Sequence, residues 1–120
     1  MSTKKTIPIA APIIQNCVIV CGYPEKDTAE EMDVRARVIT IADYPGHRFF
    51  IRKCGISGKY KASEYRTGLS IMGPATGNPG ADSMKEAISI AKNWININGG
   101  LRGLSKRVKE MVKVWGEVNR

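Results

Sequence analysis

A chain of 120 residues, 42% of them apolar, has the size of one ordinary domain and enough material to bury a core without staples. Nineteen Lys and Arg against eleven Asp and Glu leave a formal charge of +8, which draws a domain of this size toward polyanions at long range. Three cysteines and one histidine, with no C-x-x-C pair, argue against a disulfide framework or a zinc site, and the apolar runs Ile13 to Cys21 and Ile88 to Ile97 are too short and broken to cross a membrane.

Residues 1 to 12 read as a flexible N-terminal tail, because the Ile-Pro-Ile-Ala-Ala-Pro run is interrupted by prolines and is too short for a signal peptide. The expected domain is 13 to 120, cytoplasmic, with reduced thiols. Ile13 to Val20 is β-branched and predicts a first strand, closed by Gly22-Tyr-Pro-Glu. Val34 to Ala42 alternates and predicts a second, and Asp43-Tyr-Pro-Gly46 is a turn. His47 to Lys53 follows as a strand with Phe49 and Ile51 on one face and Arg48, Phe50 and Arg52 on the other. Cys54-Gly-Ile-Ser-Gly58 turns the chain into a last strand, Lys59 to Met72.

Ser83-Met-Lys-Glu86 is a capping box, and Met84, Ala87, Ile88, Ala91, Trp94 and Ile95 make one apolar stripe at helical spacing. Asn98-Gly-Gly ends that helix. Leu101, Leu104, Val108, Met111, Trp115 and Val118 then repeat at alternating spacings of three and four, with Arg102, Lys106, Lys109 and Lys113 on the other side. The fold class is α+β, an antiparallel four-stranded β-meander followed by two C-terminal α-helices.

Two glycine-rich loops, Gly73-Pro-Ala-Thr-Gly-Asn-Pro-Gly80 and Gly99-Gly-Leu-Arg-Gly103, lead into helices. Such a start offers unpaired backbone N–H groups and the positive end of the helix dipole to an anion. The same glycines also serve simply to turn the chain. The first loop reads as a connector to the Ser83 cap, so the weight falls on Asn98 to Arg107. Charge is uneven along the chain: Glu25, Asp27, Glu30, Glu31 and Asp33 form an acidic cluster, while Arg48, Arg52, Lys53, Lys59, Lys61 and Arg66 crowd the middle. Phe50, Tyr60, Tyr65 and Trp94 are candidate stacking faces, and Asn93, Asn96 and Asn98 serve either local capping or base-edge recognition.

No nucleophile, base and metal converge in the sequence. His47 has no Asp or Glu placed to orient it, and Glu64 lies among cations that it neutralises. The reading is a non-enzymatic binder without cofactor or metal.

The meander ending in Ser63-Glu-Tyr-Arg-Thr-Gly-Leu-Ser-Ile71, then Lys85-Glu-Ala-Ile88 with Ala91 in a helix and a further helix, is similar to the phage anti-Thoeris sponge family. That resemblance implies a homo-oligomer that sequesters a phosphate-bearing cyclic nucleotide in the host cytoplasm. The family's pocket residues do not map one by one, so the candidate ligand-binding set, Arg66, Asn93, Asn98, Arg102, Lys106 and Arg107, comes from local chemistry. A second resemblance is to double-stranded RNA-binding domains, from which the chain departs by offering Ser83-Met-Lys85 where those carry a lysine cluster, and by lacking their leading helix unless Thr28 to Met32 supplies it. A basic nucleic-acid-binding domain (double-stranded RNA or DNA) and an inhibitor acting by direct contact with a defence or host enzyme are the alternatives.

Overall fold

The structure, a computed structural model, describes residues 14–21, 29–72 and 80–119. The expected tail, the turn after the first strand with Glu25 and Asp27, and the first glycine loop up to residue 79 lie outside the described residues.

Four strands, β1 (Ile14–Cys21), β2 (Glu30–Ile39), β3 (Phe49–Lys53) and β4 (Tyr60–Glu64), pair antiparallel in sequence order. Two helices follow, α1 (Met84–Ile97) and α2 (Gly100–Val114). This is the expected α+β meander with two C-terminal helices.

Several strand boundaries differ from the sequence reading: the second strand ends at Ile39 rather than Ala42 and the third starts at Phe49 rather than His47, because residues 42–46 form the turn between them, and two further differences are larger. The second strand begins at Glu30, because Glu30, Glu31, Met32 and Asp33 pair with Cys21, Val20, Ile19 and Val18. A long apolar partner strand thus overrides the poor β propensity of three carboxylates. The expected strand from Lys59 to Met72 stops at Glu64 instead. There the Glu64 carboxylate accepts the backbone N–H of Arg66 at 3.0 Å and of Thr67 at 2.8 Å, which rolls the chain into a turn. Gly68 takes φ +70°, and the chain returns antiparallel to β4, with Leu69 accepting from the Glu64 N–H and Ile71 donating to Ala62.

That returning turn closes the sheet on itself. Val20 donates to the Gly68 carbonyl at 2.9 Å, and a Cβ on Gly68 would stand 2.6 Å from the Val18 carbonyl, so only glycine admits this approach to β1. The curl gives the sheet two apolar faces. Phe50, Cys17, Ile19, Ala36 and Tyr65 fill the inside, with the Phe50 and Tyr65 rings edge to face. Phe49, Ile51, Ala62 and Ile71 face the helices and pack with Ala87, Ala91, Ile95, Leu104 and Val108.

The helices form as their spacing predicts. Ser83 Oγ accepts the Glu86 N–H, and Glu86 in turn accepts the N–H of Asp82 rather than that of Ser83. The α1 stripe is buried at Ala87, Ala91 and Ile95 and partly buried at Met84, Ile88 and Trp94. On α2 the seam is buried at Leu104, Val108 and Met111, but the helix ends at Val114. Trp115 and Val118 lie beyond it, where they join Val20, Leu69 and Met111 in a small third cluster.

Candidate functional site

The glycines at the α1–α2 junction are explained first by the chain itself. Gly99 and Gly100 both have positive φ, and a Cβ on Gly103 would stand 2.1 Å from the Asn98 carbonyl oxygen. The first turn of α2 therefore passes directly against Asn98, the C-cap of α1, and glycine is what permits it. Asn98 Nδ2 donates to the Trp94 carbonyl at 2.8 Å, so this asparagine caps α1. Asn96 Oδ1 lies 2.8 Å from the Tyr44 hydroxyl, with the Lys92 carbonyl 3.1 Å from the same hydroxyl, and this tethers the 42–46 turn to α1. Burial raises the Tyr44 pKa, with Asp43 adding to the effect. Two of the three asparagines thus serve local structure, and Asn93 is exposed on α1.

The six expected ligand-binding residues do not converge. Asn98, Arg102 and Lys106 lie at the junction and the start of α2, all exposed. Arg66 lies past the opposite end of that helix, where its Nε pairs with Glu117 at 2.5 Å and its carbonyl accepts from Val118. Along the helix axis Arg102 stands about 18 Å and Lys106 about 12 Å from Val114, the end that Arg66 lies beyond. Arg107 borders a narrow cleft against Glu64, Trp94, Leu104 and Met111 that holds about 10 Å³ of open space, the room of one water. Of the expected stacking aromatics, Phe50 is 0% exposed and Tyr65 is buried, so the far side of β3 is a second core rather than an open basic face. Tyr60 and Trp94 are partly buried.

Three chemically active side chains, His47, Glu64 and Cys54, stand apart from that set. His47 Nε2 lies 2.8 Å from Ser105 Oγ on α2, while its Nδ1 is buried with no partner among the described residues. A serine and an imidazole at this distance are a nucleophile and base in spacing, but without an acceptor on Nδ1 the ring is not held in one tautomer. Glu64 is just 2% exposed and spends both carboxylate oxygens on backbone N–H groups. Cys54 occupies the β3–β4 turn, where hydrogen bonds from the Ser57 side chain and backbone, then from Ile56, hold its thiol down at about 6.

The largest organised charge lies on α2. Arg102, Lys106, Lys109 and Lys113 follow one another at intervals of four, three and four residues and so form one stripe, opposite the buried Leu104, Val108 and Met111. All four are exposed, and none enters an ion pair among the described residues. Glu110 is the one acidic residue in the helix. The periodicity that marks the seam also marks this stripe, and it outweighs the scattered cations of the strands. Among the latter, Lys59 is paired with Asp82, and Lys53 lies over the Tyr60 ring at 5.7 Å.

No family model matches the chain, and neither a curated protein nor a solved structure is found to be similar to it. Among the described residues no helix is long and apolar enough to cross a membrane, and no group of His, Cys, Asp and Glu is placed to hold a metal ion.

Proposed function

We propose that the protein binds nucleic acid through the outer face of α2. The observation that carries this reading is the stripe of four exposed cations, Arg102, Lys106, Lys109 and Lys113, without an ion pair among the described residues, on a helix whose opposite side is locked into the core. Cations held on a rigid element neutralise phosphates and release counterions, and that release supplies affinity without any pocket. The cleft bordered by Glu64, Trp94, Leu104 and Arg107 holds about 10 Å³, too little for a nucleotide, so a surface ligand fits the described residues of one protomer better than one enclosed there. The test is fluorescence anisotropy with labelled nucleic acid. Substituting the four cations with Gln should abolish binding, whereas equal neutralisation at Arg35, Lys53, Lys61 and Lys85 should leave most of it. Equal losses in both variants would reduce the effect to net charge and sink the assignment.

A second reading retains the sequestered cyclic nucleotide. Ile97 is 73% exposed and Leu101 38%, and these apolar side chains flank Asn98 and Arg102 at the junction. A second copy covering them would enclose a phosphate-bearing ligand between protomers. Under this reading thermal shift with cyclic ADP-ribose isomers and cyclic di- and trinucleotides gives a saturable gain that Arg102→Ala removes. No shift across the panel excludes it.

A further inference from the structure

We infer that the ligand of the α2 face is a nucleic-acid duplex, gripped along its sugar–phosphate backbone without readout of base sequence. This rests on the nucleic-acid reading above and narrows it in two respects, strandedness and specificity.

Strandedness follows from the shape of the stripe and from where the rings are. From Arg102 to Lys113 the cations run about 16 Å along the axis, at steps of about 6, 4.5 and 6 Å, on a narrow strip of the helix surface. A duplex is stiff on this scale and presents its phosphates in fixed rows, so a rigid line of cations meets a rigid line of anions and neither partner has to be ordered first. A single strand is flexible, and proteins that hold one without sequence preference add aromatic side chains on which successive bases stack. Such a platform is missing among the described residues. Tyr44, Phe49, Phe50 and Tyr65 are buried, and Tyr60, Trp94 and Trp115 are partly buried. Trp115 is further engaged through its Nε1, which donates to Glu31 at 2.9 Å.

Specificity follows from the flanks of the stripe. A helix that reads bases sinks into the major groove and presents forked donors and amides to base edges on both sides of its leading line. Here one flank carries Ser105, which is hydrogen-bonded to His47, and the other carries Glu110, whose carboxylate repels the phosphates at the groove wall. The neighbouring amide, Asn98, directs its Nδ2 to the Trp94 carbonyl at the end of α1. Contact therefore stays at the backbone, where it positions the protein but carries no sequence information.

The experiment titrates the full-length protein against a short labelled DNA duplex, an RNA duplex of the same sequence, a duplex of scrambled sequence and the separated single strands. Both sequences should bind as duplexes with equal affinity, and single strands about tenfold more weakly or worse. Four phosphate contacts give a slope of log affinity against log salt of about −3.6 for duplex DNA, equivalent to about 150-fold between about 50 and 200 mM salt. The Arg102→Gln, Lys106→Gln, Lys109→Gln, Lys113→Gln variant should lose this binding with an unchanged thermal melt. Single strands binding as well as duplex, or a clear preference between the two sequences, overturns this inference and leaves the nucleic-acid reading standing. Binding to none of the probes overturns both.

Discussion

The side chain of Asn119 does for Val18 what a neighbouring strand would do. Its Oδ1 accepts the Val18 N–H at 2.7 Å, while its Nδ2 donates to the Val18 carbonyl at 2.9 Å and to the Tyr65 carbonyl at 2.7 Å. Residues 101 positions apart in sequence are thereby joined, and the edge of β1 is sealed just beside the point where Val20 meets Gly68. The N–H of Val118 on Arg66 and the ion pair of Arg66 with Glu117 extend the same seam. The C-terminal segment is thus part of the sheet's closure.

Asn119→Asp tests that role with almost no change in shape. The acceptor survives, but both donors are lost and a negative charge is set against two carbonyl oxygens. A loss of about 3 kcal/mol is expected from urea unfolding, with about 2 kcal/mol for Asn119→Ala. Wild-type stability in both variants would mean that the seam is held elsewhere.

Gly103→Ala separates the two explanations of the glycine-rich junction. In an exposed helix this exchange ordinarily gains up to about 1 kcal/mol. At position 103 the new Cβ would meet the Asn98 carbonyl at 2.1 Å, so the α1–α2 junction must open and stability should fall by about 2 kcal/mol or more. A melting temperature at or above that of the parent would show that the junction yields at no cost.

Cys54 should be the reactive thiol. Its pKa is lowered to about 6 by the Ser57 and Ile56 hydrogen bonds, whereas burial pushes the Cys17 thiol up. Alkylation of Cys54 should therefore rise with pH through about 6 and level off by pH 7, while Cys17 stays silent in the folded protein. Since the folded pKa is depressed, the stability contributed by the thiolate is full above the ordinary thiol range and is lost as pH falls through about 6. Ser57→Ala should move the alkylation midpoint upward by mass spectrometry; an unmoved midpoint would rule out the Ser57 hydrogen bond as its cause.

Glu110→Gln should strengthen duplex binding several-fold, because the substitution removes the one negative charge on a helix that carries Arg102, Lys106, Arg107, Lys109 and Lys113. The effect should shrink as salt is raised. Weaker binding by this variant would place the nucleic acid on another face.

Much of the fold can be read from local pattern. The Ser83 cap, the α1 stripe and the turns at Asp43–Gly46 and Cys54–Gly58 are short-range signals whose physics is contained within a few residues. The extension of β2 through Glu30, Glu31 and Asp33 is not, because nothing local favours three carboxylates in a strand; pairing with Val18–Cys21 does. Nor is the break at Glu64, where a side chain that reads as a surface counter-charge turns inward to hold the Arg66 and Thr67 amides. The candidate site suffered for the same reason. Arg66 and Arg102 are both cations beside a glycine turn, yet they lie toward opposite ends of α2. The stripe on α2 was visible all along as the complement of an apolar seam.

The order of strands and helices, the two helix-facing stripes and the excess of positive charge are properties of the sequence by itself, since each depends on spacing or composition alone. The curl of the sheet around Phe50, the burial of Tyr65, the sealing of β1 by Asn119 and the isolation of Arg66 were decided by tertiary structure. Each depends on which distant backbone groups lack partners, and that is known only once the chain has met itself.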